Sequence, residues 1–162
     1  MRCTLLFAAM LLSAGCQQGT TNQHEVSVMK TDLKELTNLM AIPVAPKSVK
    51  WIRGTPGKGG PIGPNDATVT ALLEFSDESM AELRKKLEAP SDHEPVALKE
   101  KEVEALFAGV DTSKWERPAS GIVIVPGSVQ GASAFFKSPF LNGKAVVIQD
   151  RPNQVLVALF TS

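Results

Sequence analysis

Residues 67–88 read ATVTALLEFSDESMAELRKKLE, and this stretch decides the fold class. Its first part, Ala67–Phe75, is rich in Val, Thr, Leu and Phe, which predicts a strand. Ser76 can then cap a helix over Asp77–Glu88, in which acidic side chains come first and basic ones last, the order that complements the helix dipole. The apolar stripe of this helix consists of Met80, Leu83 and Leu87.

Shorter patterns on both sides of this unit predict two more helices and two more strands. They are a helix capped by Thr31 and running to Met40 with Leu33, Leu36 and Met40 on one face, a strand over Ser48–Arg53, a helix over Lys99–Ala108 with Val103, Leu106 and Phe107 inward, and a short buried strand over Gly121–Pro126.

The last thirty residues predict an antiparallel meander. Ala132–Leu141 is expected to pair with Lys144–Asp150 across an Asn142-Gly143 hairpin turn, and a second turn leads into Gln154–Thr161. This last strand is apolar on both sides, which places it inside a sheet. The sequence therefore predicts an α+β domain, with a mostly antiparallel sheet of about five strands and two or three helices on one face.

Composition limits the classes of function. The 162 residues are the size of one domain, and the 17 basic and 17 acidic side chains give a formal net charge of zero. Because a nucleic-acid partner favours a basic excess, we expect none. The only cysteines, Cys3 and Cys16, lie in the first sixteen residues, so no disulfide framework or thiolate metal site is expected in the rest of the chain.

The N-terminus has the three parts of a secretory signal. Residues 1–15 contain one basic residue, an apolar run and a small-residue region. The twelve residues 4–15 would form about 18 Å of helix, whereas a bilayer core is about 30 Å thick. A signal peptide over residues 1–15 is therefore expected, and not a membrane span.

The segment Leu12-Ser13-Ala14-Gly15-Cys16 resembles the lipobox of bacterial lipoproteins, although that family more often has Leu, Val or Ile where Ser13 stands. The resemblance implies diacylglycerol and an acyl group such as palmitate on Cys16, and a cell-envelope location. In a Gram-negative cell, Gln17 would imply the outer membrane, facing the periplasm. Residues 16–30 would then be a flexible lipid-anchored tether, and residues 31–162 the single domain. The alternative is ordinary cleavage that leaves Cys16 free.

Several residues are candidates for a chemical site. The Gly54–Gly63 loop lacks the spacing of a phosphate-binding P-loop, and Glu100, Glu102 and Glu104 spread round a helix instead of converging. His93 stands between Asp92 and Glu94, which is more typical of a polar linker than of a metal site. A Gly/Ser turn is expected at 127–133 and would expose Ser128. Trp51 and Trp115, each near charged residues, are expected at the core or, alternatively, at a recognition surface.

Two hypotheses of function follow. The first is a non-catalytic, lipid-anchored envelope protein that binds another protein in an assembly, inhibitory or immunity-like role, with no catalytic residue, metal or cofactor and with Cys16 as its lipidation site. The alternative is a small envelope hydrolase, for which Asp92, His93 and Ser128 are the available groups.

Overall fold

The computed structural model describes residues 28–54, 67–89 and 94–161. These residues form three α-helices, seven strands and one 3₁₀ helix, Ser133–Phe135. The helices are α1 (Leu33–Leu39), α2 (Asp77–Arg84) and α3 (Glu100–Leu106); the strands are β1 (Ser48–Gly54), β2 (Thr68–Glu74), β3 (Ala97–Lys99), β4 (Ile122–Ile124), β5 (Gly127–Gly131), β6 (Asn142–Ile148) and β7 (Gln154–Phe160).

Five of the strands form one antiparallel sheet, which confirms the predicted α+β class. Their order is β1-β2-β7-β6-β5, and β3 pairs with β4 in a separate two-stranded sheet. Strand β7 lies at the centre, between β2 and β6. Its successive residues Val155, Leu156 and Val157 are all fully buried, so the prediction that this strand lies inside the sheet is confirmed.

The strand–helix unit that decides the class is confirmed, with a shorter helix. The Ser76 side chain accepts a hydrogen bond of 3.1 Å from the backbone N–H of Ser79, so it is the predicted N-cap. Helix α2 ends at Arg84, before the predicted Glu88. Leu87 follows in a turn and still packs against the core.

Apolar side chains cover both faces of the central sheet. On one face, a first core layer includes residues of α1, α2 and alternate positions of the strands: Leu36, Met40, Trp51, Leu73, Met80, Leu83 and Val157. On the other face, a second layer includes residues of α3 and the β3–β4 sheet: Leu72, Leu98, Val103, Leu106, Val123, Val146 and Leu156.

The second layer corrects the predicted placement of the helices. Helices α1 and α2 share one face as expected, but α3 lies on the opposite face. The physical reason is that β2, β6 and β7 are apolar on both sides, so Leu72, Val146 and Leu156 also need cover from water. Helix α3 and the β3–β4 sheet provide it.

The predicted hairpin at Asn142-Gly143 is wrong. Both residues belong to β6 and face Phe160 and Leu159 of β7, while β6 pairs on its other side with β5. A Cβ atom at Gly143 would lie 2.3 Å from the carbonyl oxygen of Ala158, so β7 approaches too closely for any side chain there. Pairing between neighbouring strands has therefore overridden a strong local turn signal.

The segment before β6 and the glycines of β5 also differ from expectation. The predicted strand over residues 132–141 is instead the short 3₁₀ helix and a loop, which bury Phe135 and Phe140 in the first layer. The predicted Gly/Ser turn at 127–133 largely forms strand β5, because its residues 127–131 pair in register with residues 144–148.

The start of the domain is fixed by α1 and by a bridge to β1. The N-cap of α1 is Asp32, which accepts a hydrogen bond of 2.6 Å from the Glu35 N–H, and not Thr31. Leu33 is 38% exposed, so the prediction that it faces inward is wrong. Lys30, at the end of the predicted tether, exchanges backbone hydrogen bonds of 2.7 and 2.8 Å with Trp51.

The predicted signal peptide, Cys16 and most of the predicted tether lie outside the described residues. Among the helices that are described, none is long and apolar enough to cross a membrane.

Candidate functional site

Two clefts open at one end of the central sheet, beside the turn between β6 and β7. The Ser128 cleft has a volume of about 260 Å³ and is lined by Arg84, Ser128, Val147 and Pro152, among others. The Trp115 cleft has a volume of about 240 Å³ and is lined by Val110, Asp111, Trp115, Ile148, Asp150 and Arg151, together with Pro126. Ile148 lines both clefts and Val147 only the Ser128 cleft, so the two clefts lie next to each other.

Arg117 holds the loop that presents Trp115. Its Nη1 atom donates to three backbone carbonyl oxygens, at 3.0 Å to Thr112, 3.4 Å to Ser113 and 2.9 Å to Trp115. Its Nε also lies 3.8 Å from a carboxylate oxygen of Glu100 on α3. One guanidinium thus binds three carbonyl oxygens of the loop that would otherwise be hydrated. These hydrogen bonds hold the loop in place without a ligand.

The two tryptophans have different environments. Trp51 is fully buried, its indole N–H donates to the Asp32 carbonyl at 3.1 Å, and the Lys30 ammonium lies 5.0 Å from the ring centroid. Trp115 is only half-buried; Phe107 packs against it in a T-shaped contact with the ring centroids 4.9 Å apart. Its indole N–H has no hydrogen-bond partner among the described residues. The core interpretation therefore applies to Trp51, while Trp115 keeps an unused polar group at a cleft.

Charged groups of both signs line the Trp115 cleft. The Asp111 carboxylate accepts hydrogen bonds from the Ser113 hydroxyl and, at 3.0 Å, from the Ser113 backbone N–H. Both bonds hold the pKa of Asp111 below its ordinary value, and the hydroxyl has the larger effect. The side chains of Asp150 and Arg151 form no ion pair within the described part of the chain. The cleft thus offers two carboxylates, one guanidinium and an indole N–H to a ligand.

The Ser128 cleft tests one part of the hydrolase hypothesis. Ser128 is exposed at the start of β5, and the nearby Arg84 guanidinium donates to the Pro152 carbonyl at 3.2 Å. Among the described residues that line this cleft there is no histidine or carboxylate, the groups that would activate a serine. Asp92 and His93 lie outside the described residues.

The other residues weighed from the sequence have structural contacts or cannot be placed. Glu102 accepts a hydrogen bond from the Lys99 N–H at 3.0 Å, and Glu94 lies 3.9 Å from the Lys144 ammonium. Across residues 28–54, 67–89 and 94–161, no three His, Cys, Asp or Glu side chains are grouped so as to hold a metal ion. The Gly54–Gly63 loop beyond Gly54 lies outside the described residues.

Sequence reasoning identified Trp115 but missed the groups beside it. Asp150 and Arg151 are about 35 residues away in the chain and reach the cleft only because the β6–β7 turn lies next to the Trp115 loop. The available sequence signal is the turn Asp150-Arg151-Pro152-Asn153, which on its own predicts only a connection between strands. Arg117, one of the charged residues near Trp115 in the sequence, binds the carbonyls of its own loop.

Comparisons with known proteins gave no relative from which to assign the site. No family model, no curated protein and no solved structure matches this chain.

Proposed function

We propose that the protein is a lipid-anchored protein of the bacterial cell envelope that binds another protein, without catalysis, through the Trp115 cleft. The location rests on the lipobox-like segment ending at Cys16. The binding role rests on one observation: a half-buried tryptophan is held in place by Arg117 beside an arginine without an ion pair in the described chain.

Two physical arguments support a binding role at this position. Tryptophan and arginine are enriched among the few residues that dominate the energy of protein interfaces, where they fill pockets on the partner or line them. Ordering a loop in advance removes part of the entropy cost of association, and Arg117 orders this one. The T-shaped contact with Phe107 further limits how the indole can turn.

A capture experiment tests the binding role. The chain from Gln17 onward, immobilised and exposed to envelope extract, should retain a partner that the Trp115→Ala variant fails to retain. Leu141→Ala is the matched control, because Leu141 is also a large apolar residue and is 56% exposed, but it does not line the cleft. A partner retained equally by the Trp115→Ala variant would contradict this role for the cleft.

A further inference from the structure

The lining of the Trp115 cleft has more negative than positive groups. Asp111 and Asp150 contribute two carboxylates, against the single guanidinium of Arg151. Lys114, an exposed residue outside the lining, acts on Asp111. Since an anion would meet two carboxylates in the cleft, the lining favours a cationic ligand.

The two tryptophans differ in whether a cation of the chain lies over the ring. The Lys30 ammonium lies 5.0 Å from the centroid of the Trp51 ring, within the range of a cation–π contact. No lysine or arginine among the described residues lies in this way over Trp115. The exposed part of the Trp115 indole is therefore available to a cation from outside.

The size and floor of the cleft suit one long side chain. Its volume of about 240 Å³ lies below the roughly 300–1,000 Å³ of pockets for drug-sized ligands, which suits a single side chain. Val110, Pro126 and Ile148 give it apolar walls. Arginine and lysine combine an apolar stem with a charged end, and so match apolar walls next to carboxylates.

Resting on the proposed function, we propose that the Trp115 cleft binds an arginine or lysine side chain of the partner protein. The stem would contact Pro126 and Ile148, the cation would approach the Trp115 ring, and the Asp111 and Asp150 carboxylates would accept its hydrogen bonds.

The test uses the fluorescence of the full chain in neutral detergent. The probes are N-acetyl-arginine amide and N-acetyl-lysine amide, with N-acetyl-glutamate amide and N-acetyl-norleucine amide as controls of opposite and no charge. Trp51 is fully buried, so a change on adding a probe is expected to come from Trp115 and to disappear in the Trp115→Phe variant. We expect saturable binding of the basic probes with a dissociation constant on the order of millimolar, as is reasonable for a single side chain.

Variants that remove a negative or a positive charge should change the affinity for the arginine probe in opposite directions. Asp150→Asn should weaken binding of the arginine probe by about twofold to fivefold, and Arg151→Gln should strengthen it by a similar factor, as expected for charges near the surface. Glu104→Gln is the matched control, because Glu104 is an exposed carboxylate that does not line the cleft, and it should change nothing.

Three results would overturn the proposal: no saturable change with either basic probe, equal or tighter binding of the glutamate probe, or weaker binding of arginine after Arg151→Gln. The capture experiment separates this inference from the proposed function. If a captured partner depends on Trp115 but the basic probes do not bind, only this inference is overturned. If the basic probes bind but no partner is captured, the preference of the cleft for cations stands and the role in protein binding is contradicted.

Discussion

Replacing Leu156 with alanine removes a side chain from the middle of the second core layer. Leu156 lies in the central strand β7 and is fully buried, as Leu83 of α2 is in the first layer. The change deletes the equivalent of three CH₂ groups, about 2.4 kcal/mol of lost burial at about 0.8 kcal/mol each. The cavity that remains adds to this cost, and buried leucines replaced by alanine lose about 2–5 kcal/mol in all. We therefore expect a loss of about 3 kcal/mol for Leu156→Ala and a similar loss for Leu83→Ala.

The pair of variants also tests whether the core has two layers separated by the sheet. The two leucines belong to different clusters of buried side chains, so their effects should add to within about 0.5 kcal/mol. The assay is urea unfolding of the chain from Gln17 onward, monitored by circular dichroism. Because a domain has a total stability of only about 5–15 kcal/mol, the double variant is best compared in a stabilising osmolyte.

Leu33→Ala is the control for these core variants. Leu33 is 38% exposed, although its helical spacing predicts an inward position, so its replacement should change stability by no more than about 0.5 kcal/mol. A loss below about 1 kcal/mol for Leu156→Ala would refute the second layer. A loss in the double variant that departs by more than about 1 kcal/mol from the sum would show that the two layers are coupled.

Three further predictions concern β6, the Asp111 carboxylate and the anchor. Gly143→Ala should destabilise the domain by about 1–3 kcal/mol in urea unfolding, because its Cβ would meet the neighbouring strand, whereas a glycine in an exposed turn would show a smaller loss. An NMR titration should give Asp111 a pKa below its ordinary value, and Ser113→Ala should raise that pKa. Because the pKa of Asp111 is lower in the folded than in the unfolded state, its ionised form stabilises the fold. This stabilisation is complete above the unfolded-state pKa and disappears as the pH falls through the folded-state pKa. Cys16→Ala should abolish labelling with radioactive palmitate and block signal cleavage in cells, and continued labelling of that variant would contradict the anchor.

Local signals predicted those elements whose formation depends on residues close in sequence. The strand–helix unit at residues 67–88 combines a β-branched run with a serine cap and an ordered charge distribution, and each of these acts within one element. The last two strands follow each other across a short turn and pair directly, so their register needed no distant information.

The errors occur where contacts between elements override a local signal. Asn142-Gly143 has the composition of a hairpin turn, but both residues pair with β7, and residues 144–148 of the same strand pair with β5 as well. Strand β3, Ala97–Lys99, has too few residues to show a period, and it forms only because β4 pairs with it. For the same reason, the sequence showed Trp115 but not that Asp150 and Arg151 would lie in its cleft.

The most direct test of the account is photo-crosslinking from the Trp115 cleft in living cells. A benzophenone amino acid replaces Arg151 in one full chain and Leu141, which is exposed but outside the cleft, in another. We predict a specific adduct with one envelope protein from position 151, none from position 141, and loss of the adduct when Trp115→Ala is added. The same adduct from both positions, or one that persists without the tryptophan, would contradict the claim that this cleft is the binding site.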